Sequence, residues 1–299
     1  MEKISLVFLG TANAIPTKKR NHSAILLSYK NENILIDCGE GTQRQFRFAN
    51  LSLPKITKIL ITHWHGDHIL GLPGLFQTLA MSDYHKTLEI YGPRRTKEFI
   101  SIIEKLMARF KIKLSLHELE SGTLLETKDF KLSCLPMSHG IPSLAYSFEI
   151  KDKRRLNKSK LRKLKLPNSP LLKKLAEGKD IIINNKKIKA SQVSYLEKGR
   201  KITIILDTKY NENTIKLAKN SDILISEASF SKDEEKTASE YLHLTASQAA
   251  VIAKKARCTH LILTHISQRY EHNPNKLLKE AKAIFKNTTL AHDLQRIEI

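Results

Sequence analysis

The sequence predicts an α/β protein in which helices cover β-sheets. Short apolar runs rich in β-branched residues recur along the 299 residues, and each ends at Gly, Asn, Asp or Pro, as strands commonly do. Stretches with apolar residues at helical spacing lie between these runs, and such alternation is typical of layered α/β folds. A chain of this length can bury a large core in one or two domains.

Ten apolar runs are predicted as strands. The first, ISLVFLG at 4–10, loosely imitates a signal peptide, but it is short and follows Glu2, so we interpret it as a strand. The others occupy 23–29, 33–39, 58–63, 88–93, 131–139, 145–150, 201–208, 222–230 and 260–267. Because no run approaches the length needed to span a bilayer, we expect a soluble protein.

Three segments are predicted as helices, at 70–80, 96–110 and 246–256. The last is rich in alanine and follows Thr245, with Gln248 three residues further on. This spacing predicts a capping box, in which each side chain pairs with a backbone N–H that the first helical turn leaves unpaired.

Charge and cysteine content favour an intracellular protein with an anionic partner. Lys and Arg number 51 against 30 Asp and Glu, a net charge of +21. A generic lysine-rich surface could produce this excess, but it favours nucleic acid over a small neutral substrate. Cys38, Cys134 and Cys258 are odd in number and far apart, so no disulfide framework is expected and a cytoplasmic location fits best.

The basic charge is concentrated at 151–179, KDKRRLNKSKLRKLKLPNSPLLKKLAEGK. Twelve basic residues stand there against Asp152 and Glu177. The alternatives are a solvated insertion and an arm that grips a phosphate backbone. We favour the arm, because like charge at this density repels itself unless something anionic meets it. The few leucines could form a small satellite cluster but not a core.

The stretch THWHGDH at 62–68 predicts a metal site. His63 and His65 are separated by one residue, so on an extended chain their side chains point to the same side. Asp67 and His68 follow across a glycine turn, before a helix expected to begin near Ile69. Imidazole and carboxylate groups suit Zn²⁺, and two neighbouring sets of donors could hold two ions.

Two ions need more ligands, and three strand ends supply them. His139, Asp207 and His265 each follow an apolar run, at the carboxyl end where the active residues of α/β sheets collect. We expect His63, His65 and His139 to hold one ion. Asp67, His68 and His265 would hold the other. Asp207, with two oxygens, would bridge them.

These motifs resemble the metallo-β-lactamase superfamily and, within it, RNase Z, the endonucleases that trim tRNA precursors at the 3′ side. HWHGDH alone indicates only the superfamily. GEGTQRQ at 39–45, the PxKxRN pattern at 16–21 and His243 in HLTASQAA are more specific. The resemblance runs nearly end to end, through FLGTANAIPTKKRN, LIDCGEGTQRQ, ITHWHGDHILGLPGL, LDT, ISEASF and LTHIS.

The resemblance implies an αββα sandwich, a single domain over 1–299 with a dinuclear zinc site at one edge. Asp67 would accept a proton as well as bind metal, and His243 would protonate the leaving oxygen. The segment 151–179 corresponds to a flexible arm that grips the tRNA elbow. The family's enzymes are typically homodimers in which one subunit's arm serves the other's site. The candidate RNA contacts of the arm are Arg154, Arg155, Arg162 and Lys163.

A second group of candidate RNA contacts lies after the first strand, where PTKKRN provides Lys18, Lys19 and Arg20. Three basic residues alone are weak evidence. The resemblance places this loop beside the metal site, where Lys18 and Arg20 would contact phosphates near the cleavage point.

The chain departs from the family pattern in three places. A Gly-Pro pair of the arm is replaced by LPNSP at 166–170, which puts the arm's detailed contacts in doubt. A HEAT-like motif reads SEAS at 226–229, so the role of its histidine is absent. Leu206 stands where a glycine commonly precedes the bridging aspartate. None of these changes removes a metal ligand.

The site predicts hydrolysis of a phosphodiester, since paired metal ions activate water and neutralise phosphoryl charge. With His243 donating to the departing oxygen, cleavage would leave a 3′-hydroxyl on the tRNA and a 5′-phosphate on the trailer. One alternative is a phosphodiesterase or thioesterase acting on a small substrate, which would need neither the arm nor a charge of +21. Another is a non-catalytic RNA-binding protein, which seven filled ligand positions argue against.

Overall fold

Two large β-sheets contain most strands of the computed structural model, which describes residues 3–107, 111–164, 166, 168–183 and 186–299. The strands are β1 (Ile4–Gly10), β2 (Ala24–Tyr29), β3 (Glu32–Ile36), β4 (Lys58–Leu60), β5 (Thr87–Gly92), β6 (Lys113–Glu118), β7 (Gly122–Glu126), β8 (Phe130–Met137), β9 (Ser143–Ile150), β10 (Lys153–Leu156), β11 (Ile181–Ile183), β12 (Lys186–Ile188), β13 (Ser194–Glu197), β14 (Lys201–Ile205), β15 (Ile223–Glu227), β16 (His260–Thr264), β17 (Thr288–Leu290) and β18 (Arg296–Glu298). The α-helices are α1 (Thr42–Phe48), α2 (Gly66–Ile69), α3 (Leu72–Met81), α4 (Thr96–Leu106), α5 (Lys158–Lys163), α6 (Leu171–Ala176), α7 (Ala190–Val193), α8 (Glu212–Ala218), α9 (Glu235–Glu240), α10 (Ala246–Lys255) and α11 (Asn275–Ile284).

The two sheets have related topologies. The first runs in the order β18-β1-β2-β3-β4-β5-β6, and the second in the order β17-β16-β15-β14-β9-β8-β7. Strands β3 to β6 of the first sheet are parallel, as are β14 to β17 of the second. Parallel neighbours bring the residues that follow them to one sheet edge, which is where ligands bind in α/β folds.

Helices cover one face of each sheet. In the first, Ile59 of β4 belongs to the same buried cluster as Phe76 of α3. In the second, Leu263 of β16 clusters with Ala250 of α10. Removing these apolar side chains from water is the main force that holds each helix on its sheet.

The sheets meet on their other faces. The ring of Tyr29 in β2 contacts Phe148 in β9 edge-on, with 5.7 Å between ring centroids. The hydroxyl of Tyr146 in β9 donates to the backbone oxygen of Ile61, 2.6 Å away, just beyond β4. Helix, sheet, sheet and helix therefore form the four layers of an αββα sandwich, as predicted.

All ten predicted strands overlap an observed strand, but the helix after the histidines is divided. Helix α2 ends at Ile69 and α3 begins at Leu72, whereas one helix at 70–80 was predicted. Two local features accompany the break. The N–H of Gly71 donates to the backbone oxygen of Cys38, 2.9 Å away, and Pro73, which has no N–H to donate, lies in the first turn of α3. The predicted helix at 96–110 is observed as α4, and residues 108–110 lie outside the described part.

The chain divides into two compact units. The basic unit comprises Thr127–Lys131 and Glu149–Arg200, and the sandwich comprises the remaining segments of the chain. The basic unit contains the whole predicted arm, of which Lys165 and Pro167 lie outside the described residues. It pairs β10 with β13 and β11 with β12.

The basic unit has a small core of its own. Leu175, Ile181, Ile188 and Val193 are buried together, and leucines of the predicted arm pack against them. Three of these four residues lie beyond 179, so the sequence that buries the leucines extends past the predicted arm.

Within the described residues, no helix is both long and apolar enough to cross a membrane. The three cysteines are free and buried.

Candidate metal centre and catalytic site

Loops that follow the strands deliver the predicted metal ligands to one place. His63 lies three residues after β4 and His139 two residues after β8. In the second sheet, Asp207 follows β14 and His265 directly follows β16. Backbone hydrogen bonds hold each strand in register with the next strand of the sheet. They therefore fix the position of the polar residue that follows the strand.

The remaining ligands come from the histidine-rich stretch. His65 has an extended backbone, and α2 begins at the next residue, Gly66. Asp67 and His68 therefore lie inside a short helix, and the prediction that the helix begins near Ile69 was wrong. The glycine was interpreted as a turn, but it is the first residue of the helical hydrogen-bond ladder, in which its carbonyl accepts from Leu70 (2.9 Å).

One cluster of ligand atoms contains three histidines and a carboxylate. Nδ1 of His65 lies 3.1 Å from Nε2 of His63 and 3.1 Å from Nε2 of His139. Oδ2 of Asp207 lies 3.5 Å from Nε2 of His63 and 3.9 Å from Nε2 of His139.

A second cluster shares Asp207. Nε2 of His68 lies 3.3 Å from Oδ2 of Asp67 and 3.4 Å from Oδ1 of Asp207. Nε2 of His265 lies 3.4 Å from Oδ2 of Asp67 and 3.1 Å from Oδ1 of Asp207. The two imidazole nitrogens are 3.2 Å apart. Asp207 thus presents one oxygen to each cluster, as a bridging ligand must.

These spacings fit zinc coordination. Tetrahedral ligands at bond lengths of about 2.0–2.1 Å have neighbours about 3.3 Å apart, close to the distances in the second cluster. Oδ1 of Asp207 is buried, yet it has no hydrogen bond despite the nearby histidine nitrogens. Within each cluster the ligand atoms all lie within 4.8 Å of one another, so each cluster could hold a metal ion.

The protonation states of most candidate ligands suit metal binding. At His68, however, the effect of burial is outweighed by Asp207 and Asp37, which raise the pKa above its usual range, so a cation there would displace a proton from the ring. Burial lowers the pKa of His63 and of His139, so both rings are neutral and carry a lone pair for a cation. Burial alone would raise the pKa of Asp207, but His265 and His68 outweigh that effect and hold it well below its usual range. Asp67 is likewise kept anionic, because neighbouring histidines lower its pKa against the effect of burial.

Two residues that sequence reasoning did not assign orient the ligands. Nδ1 of His68 donates to Oδ2 of Asp37 at 2.6 Å, and Asp37 also accepts from the backbone and hydroxyl of Thr62 at 2.7 Å each. A carboxylate on Nδ1 fixes the tautomer in which Nε2 is free to bind metal. Ser229 serves His265 in the same way, with its Oγ 2.9 Å from Nδ1.

A third residue that the sequence analysis did not assign is Glu227, which holds His243. Nδ1 of His243 lies 3.0 and 3.1 Å from the two carboxylate oxygens of the fully buried Glu227. The other ring nitrogen, Nε2, lies 3.9 Å from Oδ2 of Asp207. Burial lowers the pKa of His243, but Glu227 and Asp207 outweigh it and raise the pKa to about 9. His243 is thus positively charged at neutral pH and lies at the edge of the two ligand clusters.

A signal for Asp37 and Glu227 was present in the sequence. Asp37 directly follows β3, and Glu227 is the last residue of β15. The rule that selected His139, Asp207 and His265, a polar residue at the carboxyl end of an apolar run, selects these two as well.

The basic side chains of the loop after β1 differ in their exposure to solvent. Lys18 is exposed, as an RNA contact must be. Arg20 is only 9% exposed, and its Nη1 donates to Oγ1 of Thr11 at 2.6 Å and to the backbone oxygen of Ala291 at 2.8 Å. The guanidinium of Arg20 thus anchors the loop to the C-terminal segment, so Lys18 is the more accessible of the two predicted phosphate contacts.

The candidate contacts of the basic unit also differ from one another. Nη1 of Arg154 donates to Oγ of Ser194 at 2.9 Å, and Nε of Arg155 pairs with Glu197 at 2.8 Å. Arg162 and Lys163 lie exposed on α5, so they are the more accessible pair.

Comparison with known proteins identifies the family. Ribonuclease Z of Listeria welshimeri is 40% identical over 304 aligned residues, which cover 99% of each chain. Ribonuclease Z of Methanothermobacter thermautotrophicus is 38% identical and covers 99% of this chain and 97% of its own. The crystal structure of the short form of human tRNase Z superposes with a TM-score of 0.72 at 29% identity, over 98% of each chain.

A family model described as anti-Pycsar protein Apyc1 also matches, over residues 4–191. That match ends before Asp207, His243 and His265, whereas the alignments with the two ribonuclease Z relatives each cover 99% of the chain. The full-length similarity, together with a site that contains every predicted ligand, shows that the chain belongs to the ribonuclease Z family of tRNA 3′-processing endoribonucleases.

Proposed function

We propose that this protein removes the 3′ trailer of precursor tRNA at a centre of two zinc ions. The observation that carries the proposal is the pair of ligand clusters joined by Asp207, whose two oxygens face different clusters. One ion would be held by His63, His65 and His139, and the other by Asp67, His68 and His265. When bound, zinc supplies Lewis acidity, which lowers the pKa of water and neutralises charge on phosphoryl oxygens.

Asp67 is the proton acceptor in this proposal. Its side chain is 10% exposed, so it can face both the ligand cluster and the substrate. Because its pKa is held low, it is an anion that can take the proton from the attacking water at a carboxylate oxygen. The water oxygen then forms the new bond to phosphorus.

His243 is the proton donor. Glu227 fixes Nδ1, so Nε2 presents its proton toward the clusters. As the bond between phosphorus and O3′ breaks, Nε2 gives that proton to O3′. The tRNA body would end in a 3′-hydroxyl, and the trailer would begin with a 5′-phosphate.

The basic unit would bind the tRNA elbow, with phosphates paired to residues such as Arg162 and Lys163. Such contacts position an RNA without reading its sequence. The protein would act as a homodimer in the cytoplasm, in agreement with its three free, buried thiols. Light scattering of the purified protein tests the dimer directly.

The test of the reaction is one incubation with mapped ends. A 3′-extended precursor tRNA is treated with the wild-type protein and with Asp67→Ala. The wild type should release a tRNA with a 3′-hydroxyl and a trailer with a 5′-phosphate, and Asp67→Ala should release little of either. Cleavage by the wild type that leaves a 3′-phosphate would refute the proposed direction of bond breaking.

The alternative is hydrolysis of a small substrate, a phosphodiester or thioester, at the same centre. The family match over 4–191 to a differently described protein makes this worth testing. The values of kcat/KM for precursor tRNA and for bis(p-nitrophenyl) phosphate separate the two. A ribonuclease Z must strongly prefer the RNA.

A further inference from the structure

A cavity of about 200 Å³ lies in the sandwich on one side of His243. Drug-sized ligands generally need about 300 Å³ or more, so this cavity has room for a single flat ring system. The residues that line it are Asn13, Ala14, Ile15, Phe230, Tyr241, His243, Ser267, Gln268 and Arg269. Apart from His243, no step of the proposed reaction uses them.

The cavity has an aromatic and cationic wall. The rings of Phe230 and Tyr241 are nearly parallel, at 13° and with 6.5 Å between centroids. The guanidinium of Arg269 lies over Phe230, 5.3 Å from the ring centroid, and Glu234 holds it there at 3.0 Å. Aromatic faces and guanidinium planes are the groups on which proteins stack unpaired RNA bases.

Two apolar residues of the cavity are unusually open to solvent. Tyr241 is 63% exposed and Ile15 is 50% exposed. A contiguous apolar patch that stays open to solvent commonly marks a binding site, whereas a single exposed apolar residue does not. The amides of Asn13 and Gln268 line the same cavity, and amide groups can pair with the edge of a base.

We propose that this cavity binds the unpaired nucleobase of the last nucleotide retained on the tRNA. The inference rests on the proposed function, in which His243 donates a proton to O3′ of that nucleotide. His243 lies between the clusters and the cavity: its Nε2 is 3.9 Å from Asp207, and its ring centroid is 6.0 Å from that of Phe230. The base on the same ribose as O3′ therefore falls on the cavity side and stacks on Tyr241.

The test is a double-mutant cycle in which one change is made in the protein and the other in the RNA substrate. The protein forms are wild type, Tyr241→Ala and Tyr241→Phe. The substrates are a 3′-extended precursor tRNA, intact or with an abasic ribose at the last retained nucleotide. A third substrate, abasic two nucleotides into the trailer, is the matched control. Tyr241 is already largely exposed, so its truncation should leave the fold intact, which a melting curve verifies.

Tyr241→Ala and the abasic ribose should each lower kcat/KM about tenfold, a typical loss for one base stacked on an aromatic ring. Combined, they should cost no more than either alone, because both remove the same contact. Tyr241→Phe retains the ring and should behave as wild type. With 2-aminopurine at that position, emission should be quenched on binding to wild type and much less with Tyr241→Ala.

Other results overturn the inference. If the two losses in kcat/KM multiply when the changes are combined, or if Tyr241→Ala cleaves as fast as wild type, the base binds elsewhere. In either case correct cleavage by the wild type would still support the proposed function. If the wild type fails to cut the intact precursor at all, the proposed function fails and this inference fails with it.

Discussion

Glu227 and His243 form a carboxylate–imidazole pair at 3.0 Å, and the other nitrogen of the ring lies 3.9 Å from Oδ2 of Asp207. A carboxylate on one imidazole nitrogen fixes which nitrogen can exchange a proton and keeps the ring charged. The pair therefore determines both where the proton of His243 is and which way it points.

The first prediction concerns His243 itself. His243→Ala should lower kcat for precursor tRNA about 100-fold or more, since a general acid contributes roughly that much. The metal content should stay at the wild-type level, because no ligand is removed. His260→Ala changes a partly buried histidine at the start of β16 and is the matched control. Loss of metal from His243→Ala would contradict the assignment as a proton donor.

The second prediction concerns Glu227. Glu227→Gln keeps the size of the side chain but removes the charge that raises the pKa of His243. We expect kcat to fall at least tenfold in the wild-type background and to change little in the His243→Ala background, because the two residues act as one unit. Equal losses in both backgrounds would mean that Glu227 acts by another route, such as its contact with Ser229.

The third prediction concerns the support of the second cluster. Asp37→Asn should weaken metal binding about 10–100-fold, the usual cost of losing the partner of a ligand histidine. Titration of metal-free protein with Zn²⁺ measures the affinity. Asp222→Asn is the matched control, since Asp222 accepts a backbone hydrogen bond at 2.7 Å and is not a ligand of either cluster. An unchanged affinity in Asp37→Asn would remove Asp37 from the site.

The fourth prediction concerns metal and stability. A ligand present at a thousand times its Kd stabilises the folded state by about 4 kcal/mol, which corresponds to a Tm increase of about 6 °C for a chain of this size. Chelation should lower Tm by about that amount, and added Zn²⁺ should restore it. In Asp207→Ala, which lacks the bridging ligand, chelation should change Tm much less. A wild-type Tm that does not respond to chelation would argue against a metal centre.

The fifth prediction concerns the basic unit. Arg162→Ala combined with Lys163→Ala should raise KM for precursor tRNA. The slope of log kcat/KM against log salt concentration should become shallower by about two, one for each lost phosphate contact. Lys282→Ala combined with Lys286→Ala removes the same charge from exposed positions outside this unit and is the control. Equal effects of the two double variants would show that only net charge matters.

Sequence alone located the strands because each is a short apolar run with a clear end. The runs predicted at 58–63, 201–208, 222–230 and 260–267 extend three residues past the observed strands. The apolar pattern continues there into residues whose backbone no longer pairs with the neighbouring strand and which lead into the ligand clusters. Edge strands were missed: β6 is exposed or half-buried along its whole length, so its apolar pattern is weak.

The candidate metal ligands could be selected from sequence because their chemistry is unusual and their position, at strand ends, follows from the fold class. The roles of Arg20, Asp37 and Glu227 could not be identified in this way, although the strand-end rule selects Asp37 and Glu227 as candidates. Ala291, which binds Arg20, is 271 residues away, and Asp37 meets His68 across 31 residues. Residue type and local pattern determined which groups could bind metal, whereas packing of distant segments decided which charges face the substrate and which are held inside.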